Sequence, residues 1–113
     1  MKLITIIIAC LLISSGCSKF VPACGDESVT DLVKQIAGEE MANSLGKETA
    51  KLFSYSVNAI RTTDTNEKTG SHDCAADLEV KASNTGQSQE MPITYTVEAT
   101  DDGENIYVNV LGL

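Results

Sequence analysis

Asp73-Cys74-Ala75-Ala76-Asp77-Leu78-Glu79-Val80-Lys81 is the stretch that decides the fold. Read with period two, it puts Cys74, Ala76, Leu78 and Val80 on one face. Asp73, Asp77, Glu79 and Lys81 fall on the other, the pattern of a strand with one buried and one wet face. The same alternation recurs on both sides. Upstream, Tyr55, Val57 and Ala59 alternate until Ile60 breaks parity, which predicts a bulge or a strand end. Asp64 to Gly70 is turn chemistry between these two strands. Downstream, a Gly/Asn-rich loop over 83–88 leads to Met91, Ile93, Tyr95, Val97 and Ala99, alternating against Thr94, Thr96 and Glu98. Asp101-Asp102-Gly103 is a tight hairpin signal. Beyond it Ile106, Val108 and Val110 point inward, with Tyr107 and Asn109 outward.

Before the strands, Ser28 to Leu45 changes period. Val29, Leu32, Val33, Ile36, Ala37, Met41 and Leu45 recur at three- and four-residue intervals, the stripe of an amphipathic helix. Ser28 and Asp31 have capping-box spacing, and Asp26, Glu27 and Asp31 complement the positive helix N-terminus. Gly46 and Lys47 mark its end, and Lys47 to Phe53 holds a last turn or a second short helix. One helix followed by four antiparallel strands, each with one apolar face, predicts a two-layer α+β domain. The helix must cover the sheet, because nothing else in the chain can.

The full chain has 113 residues, room for one small domain. Sixteen acidic against eight basic residues give a formal charge of −8, which excludes nucleic acid as a partner. With one His, no Trp and five aromatics, an aromatic-lined cofactor cavity is not expected.

The N-terminus gives an address. Met1-Lys2 is followed by a run from Leu3 to Ile13 that is apolar except for Thr5, with the proportions of a secretory signal peptide. It is too short to span a bilayer, which needs about 20 apolar residues. The run ends in Ser14-Ser15-Gly16-Cys17, which resembles the lipobox of bacterial lipoproteins. Ser14 stands where that pattern usually has Leu. Cys10 after Ile7-Ile8-Ala9 is a competing site, but leaves an apolar segment of only about six residues, below the roughly 7–15 required. Cleavage without a lipid is a third option. The resemblance implies that residues 1–16 are removed, that Cys17 is acylated, and that the covalent lipid inserts in a bilayer. Each buried methylene then contributes about 0.8 kcal/mol to anchoring. Ser18 after the cysteine, rather than Asp, implies the outer membrane of a Gram-negative envelope, facing the periplasm. Losing the leader removes Lys2 and no acid, so the mature charge is −9.

With Cys10 cleaved away and Cys17 acylated, Cys24 and Cys74 remain. In an oxidising compartment an even pair reads as a disulfide. Closing its 51-residue loop contributes roughly 4 kcal/mol through chain entropy. It would staple the start of the helix to the inward face of the second strand. Residues 17–25 then form a tether of at most about 30 Å, and 26–113 a single domain.

Candidate chemistry is sparse. His72 beside Asp73 invites a general-base reading, but adjacent strand residues face opposite ways and no nucleophile is placed to meet them. Asp64-x-Asn66 opens like a calcium loop but fails at Thr69 and Ala75, where Gly and Glu belong. Asp101, Asp102 and Glu104 read as a solvated hairpin tip. No phosphate loop, zinc spacing or hydrolase elbow is present, so no enzyme is expected. What remains is surface. The outer sheet face, with Asp73, Asp77, Glu79 and Tyr107, is either plainly solvated or a docking face for a basic envelope protein. A carrier of a small apolar ligand between helix and sheet, or an acidic inhibitor of a basic hydrolase, are the alternatives.

The leader is directly testable. Cys17→Ala should release the protein from membranes or leave an unprocessed precursor, and should abolish metabolic palmitate labelling. Cys10→Ala should leave both unchanged.

Overall fold

The computed structural model describes residues 20–113. The expected leader, Cys10, the expected lipidation site Cys17 and the expected tether up to Lys19 lie outside the described residues. The order is α1 (Glu27–Leu45), α2 (Lys47–Ala50), β1 (Phe53–Thr65), β2 (His72–Ala82), β3 (Ser88–Ala99) and β4 (Ile106–Leu111). The strands form an open antiparallel meander in the order β1-β2-β3-β4. Helix and antiparallel sheet, crosslinked by the Cys24–Cys74 disulfide, make this an α+β fold.

The cap of α1 differs from the spacing-based expectation. Asp26, not Ser28, is the N-cap: its Oδ1 accepts from the Ser28 amide at 3.0 Å and the Ser28 hydroxyl at 2.7 Å. Those bonds, the hydroxyl's first, hold its carboxyl below the usual carboxylate range. Asp31 pairs instead with Lys34 at 3.7 Å. The other end runs as expected: Gly46 takes φ 89°, where a Cβ would be strained, and its amide reaches the Ala42 carbonyl. Val29, Val33 and Ala37 are buried, and the two valines contribute about 1.5–3 kcal/mol each through burial. Leu45, on the same stripe, is 50 % exposed. The apolar stripe is therefore only partly used.

The sheet's inner face is the predicted one. Cys74, Ala76 and Leu78 of β2 and Ile93, Tyr95 and Val97 of β3 are all buried. The parity break at Ile60 is a bulge: Ala59 and Ile60 together face Ala76, between the pairs Asn58↔Asp77 and Arg61↔Ala75. Ala59 takes φ 54°, a left-handed conformation that glycine normally supplies at this kind of bulge. A second shift at Thr63 lets β1 run on to pair Thr65 with His72, so the turn is shorter than Asp64 to Gly70. Pairing with β2 also draws Ser88, Gln89 and Glu90 into β3, ahead of the expected start at Met91. Pro92 is tolerated inside this strand because its missing N–H faces the β4 side, where the β4 pairing has ended at Leu111.

Cys24 and Cys74 are each 1 % exposed, with Cα atoms 5.8 Å apart, inside the roughly 7 Å limit for a bridge. The bridge carries the chain ahead of α1 into the core. Pro22 is buried there, and Val21 sits so close to Gly70 that a Cβ on that glycine would come within 3.3 Å. Tyr95, 1 % exposed, donates its hydroxyl to the Cys24 carbonyl at 2.9 Å, so β3 grips the same point from below. Burial pushes its phenol up from the ordinary value.

Each kcal/mol lost from a domain this size lowers Tm by about 4–8 °C, so reduction, removing roughly 4 kcal/mol, should lower it by about 15–30 °C. Tyr95→Phe keeps the disulfide but leaves a buried carbonyl without its donor, costing about 1–3 kcal/mol. Thermal melts with and without reductant check both.

Candidate functional site

The face of the sheet turned away from α1 is the candidate site, and strand register sets its layout. Along β2, Asp73, Ala75, Asp77, Glu79 and Lys81 stand in one line, with Asp73 to Glu79 spanning about 20 Å. Across the strands, rows about 4.8 Å apart run Asp64–Asp73–Thr96–Asn109, Arg61–Ala75–Thr94–Leu111, Asn58–Asp77–Pro92 and Ser56–Glu79–Glu90. Asp73 and Tyr107 are exposed, the latter by 61 %, while Asp77 and Glu79 are half-buried among their neighbours.

The four residues singled out from sequence share this face, but they do not converge. Asp73, Asp77 and Glu79 belong together on β2, and Tyr107 lies two strands away beside Glu98. The nearest companion of Glu79 is one that sequence reasoning missed. Glu90 stands directly opposite it, and Asn58 Nδ2 donates to both carboxylates, at 3.3 and 3.5 Å. Glu90 was hidden because the third strand was expected to begin at Met91; its parity with Pro92, Thr94 and Thr96 is the signal that places it. Asp64 opposite Asp73 is a second like-charge pair, and the bulges that bring it there are long-range features.

Like charges directly opposite on a sheet are destabilising. Both ion pairs among the described residues, Lys34–Asp31 and Lys51–Glu48, lie on α1 and at the end of α2, so neither offsets these carboxylates. Arg61 and Lys81 are the cations of the face, at its middle and its end. Beside Arg61, Ala75, Pro92, Thr94 and Leu111 line a shallow open depression. The face offers carboxylate acceptors around a small apolar patch.

Other candidates resolve differently. His72 is half-buried on the inner side, its Nδ1 3.0 Å from the Thr65 hydroxyl, while Asp73 faces out. The hairpin tip is organised by Asp102, which accepts from the Thr100 hydroxyl at 2.6 Å and the Glu104 amide at 3.0 Å; those bonds, in that order, lower its pKa. No group of three metal-ligating side chains occurs among the described residues. No helix among them is long and apolar enough to cross a membrane.

A partly open cavity of about 130 Å³ lies between α1 and the sheet, walled by Ala37, Met41, Tyr55, Leu78, Val80 and Met91. The Tyr55 hydroxyl is buried with no hydrogen-bond partner, and burial pushes its phenol up. Comparison with family models, curated proteins and solved structures finds no match for this chain.

The like-charge pair predicts its own repair. Glu90→Lys should stabilise the domain by about 0.5–1 kcal/mol in low salt, and the gain should shrink as salt screens it. Urea titrations at two ionic strengths read this out.

Proposed function

We propose that this chain is a membrane-anchored lipoprotein of the bacterial cell envelope, held through acylated Cys17, that acts without catalysis. Its two-layer domain serves as an adaptor or blocking module for an envelope protein with a basic surface. The observation that carries the reading is the opposition of Glu79 to Glu90 and of Asp64 to Asp73 on a face with no helix over it. A sheet that served only to cover α1 gains nothing from carboxylates placed against one another. A cationic partner would convert that repulsion into attraction and speed encounter as well as set specificity. The short tether holds the face near the bilayer, which suits a partner in or at the same membrane.

A second reading, the carrier of a small apolar ligand, draws on the cavity beneath α1 that Tyr55 helps to line. The opposed carboxylates are the more specific observation, so the first reading is preferred.

Crosslinking in intact envelopes followed by affinity capture tests the two together. Under the adaptor reading a protein of basic surface is recovered, and Asp77→Lys with Glu79→Lys abolishes its recovery while membrane anchoring persists. Recovery unchanged by that double substitution, or native mass spectrometry finding a small apolar molecule in place of a protein, overturns it.

A further inference from the structure

The chain enters the domain at one end of the sheet and is fixed there from its first packed residue. Val21 lies against Gly70 in the turn between β1 and β2, and Pro22 is buried. Cys24 is bonded to Cys74, and its carbonyl accepts from the Tyr95 hydroxyl. The turn after β1 and the β3–β4 hairpin close this same end, since Thr65 pairs with His72 and Ala99 with Ile106. The opposite end holds α2 and the β2–β3 loop, where the Ser83 amide donates to the Leu52 carbonyl at 2.7 Å. The 11 residues of β2 set the two ends about 35 Å apart.

Only Ser18, Lys19 and Phe20 separate Cys17 from the fixed chain. From Cys17 to Phe20 the backbone reaches at most about 11 Å, against the roughly 30 Å of a tether free as far as Gly25. A lipid on Cys17 therefore holds the entry end against the bilayer and keeps the far end away from it. Neither flank suits the membrane surface. Lying on the outer face would set Asp73, Asp77, Glu79 and Glu90 against phospholipid phosphates, and lying on α1 would set Asp31 and Glu39 there.

The entry end offers what those flanks lack. Phe20 is 77 % exposed, the most exposed large apolar side chain among the described residues. Lys19 precedes it, and Lys68 stands in the turn that Val21 touches. An apolar ring flanked by lysines suits the headgroup boundary, the ring toward the acyl chains and the ammonium groups toward the phosphates. Asp101, Asp102 and Glu104, on the second hairpin, stay in water by the same logic, so contact is confined to the Phe20 corner. We propose that the domain stands end-on at the bilayer, with Phe20 seated at the headgroup boundary as a second contact beside the lipid. This orientation rests on the acylation of Cys17. It raises the outer face along the membrane normal, with Asp64 and Asp73 nearest the lipid and the Glu79–Glu90 pair about 20 Å further out. The basic partner is then a protein of the same membrane whose cationic surface spans that height.

The chain has no Trp, so Phe20→Trp supplies a single reporter. The acylated chain is placed on vesicles of phosphatidylethanolamine and phosphatidylglycerol. There the reporter should emit at shorter wavelength than in an unacylated Cys17→Ala chain, and brominated acyl chains should quench it about threefold or more. Fluorophores attached through Glu67→Cys and Asn84→Cys compare the two ends. A headgroup-bound quencher should act on the first about fivefold more than on the second, given their separation. About a dozen Gly and Ser residues inserted between Lys19 and Phe20 should bring the two within about twofold. Equal quenching at both ends with the natural link overturns the proposal, as does a reporter at position 20 that brominated lipid leaves unquenched. Either result leaves membrane anchoring through Cys17 standing. A chain that takes no acyl group at Cys17 overturns the orientation and the anchoring together.

Discussion

The domain depends on one junction, where the segment ahead of α1 is pinned to the centre of the sheet. Cys24 reaches β2 through its disulfide and β3 through its carbonyl, which accepts from the Tyr95 hydroxyl. The Thr62 hydroxyl of β1 donates to Cys24 Sγ at 3.3 Å. Three strands thus converge on a residue that belongs to none of them. A small domain buries a modest fraction of its surface, and its net stability is a difference between large opposing terms. A covalent loop of this length, filled by a tyrosine bonded at its tip, raises the unfolded chain's free energy and orders the native one.

That junction also explains the asymmetry of the helix. The N-terminal half of α1, held beside Cys24, buries Val29 and Val33 fully. The far half has no comparable anchor, Leu45 is half-exposed, and the gap beneath it is the cavity beside Met41 and Tyr55. Methionines at such a site fill space adaptably. The outer face is free for charge because one helix suffices to cover the other side, and its opposed carboxylates stand out against a fold that is otherwise locally consistent. Departures of this kind are where function is to be sought.

Much was legible in the sequence because it is carried by neighbouring residues. Period-two alternation identified all four strands and, except at Ala59, which the bulge leaves exposed, their inner faces, and the three-four stripe identified α1 to within a residue of its start. The parity break at Ile60 announced the bulge. The pairing of Cys24 with Cys74 followed from the compartment implied by the leader and from where each cysteine falls on its element. The cap of α1 was misplaced by two residues, since Ser28 and Asp26 both satisfy the local preference and only backbone geometry chooses between them.

What the sequence by itself determined is therefore the list of elements and which side of each is apolar. The tertiary structure alone decided register. Local periodicity says which face a carboxylate occupies but not which residue lies across from it, because that depends on two bulges and on where neighbouring strands begin. The meeting of Glu79 with Glu90 and the burial of the Tyr55 hydroxyl are both consequences of register and of tertiary packing. They arise between residues far apart in the chain, where no short-range pattern can record them.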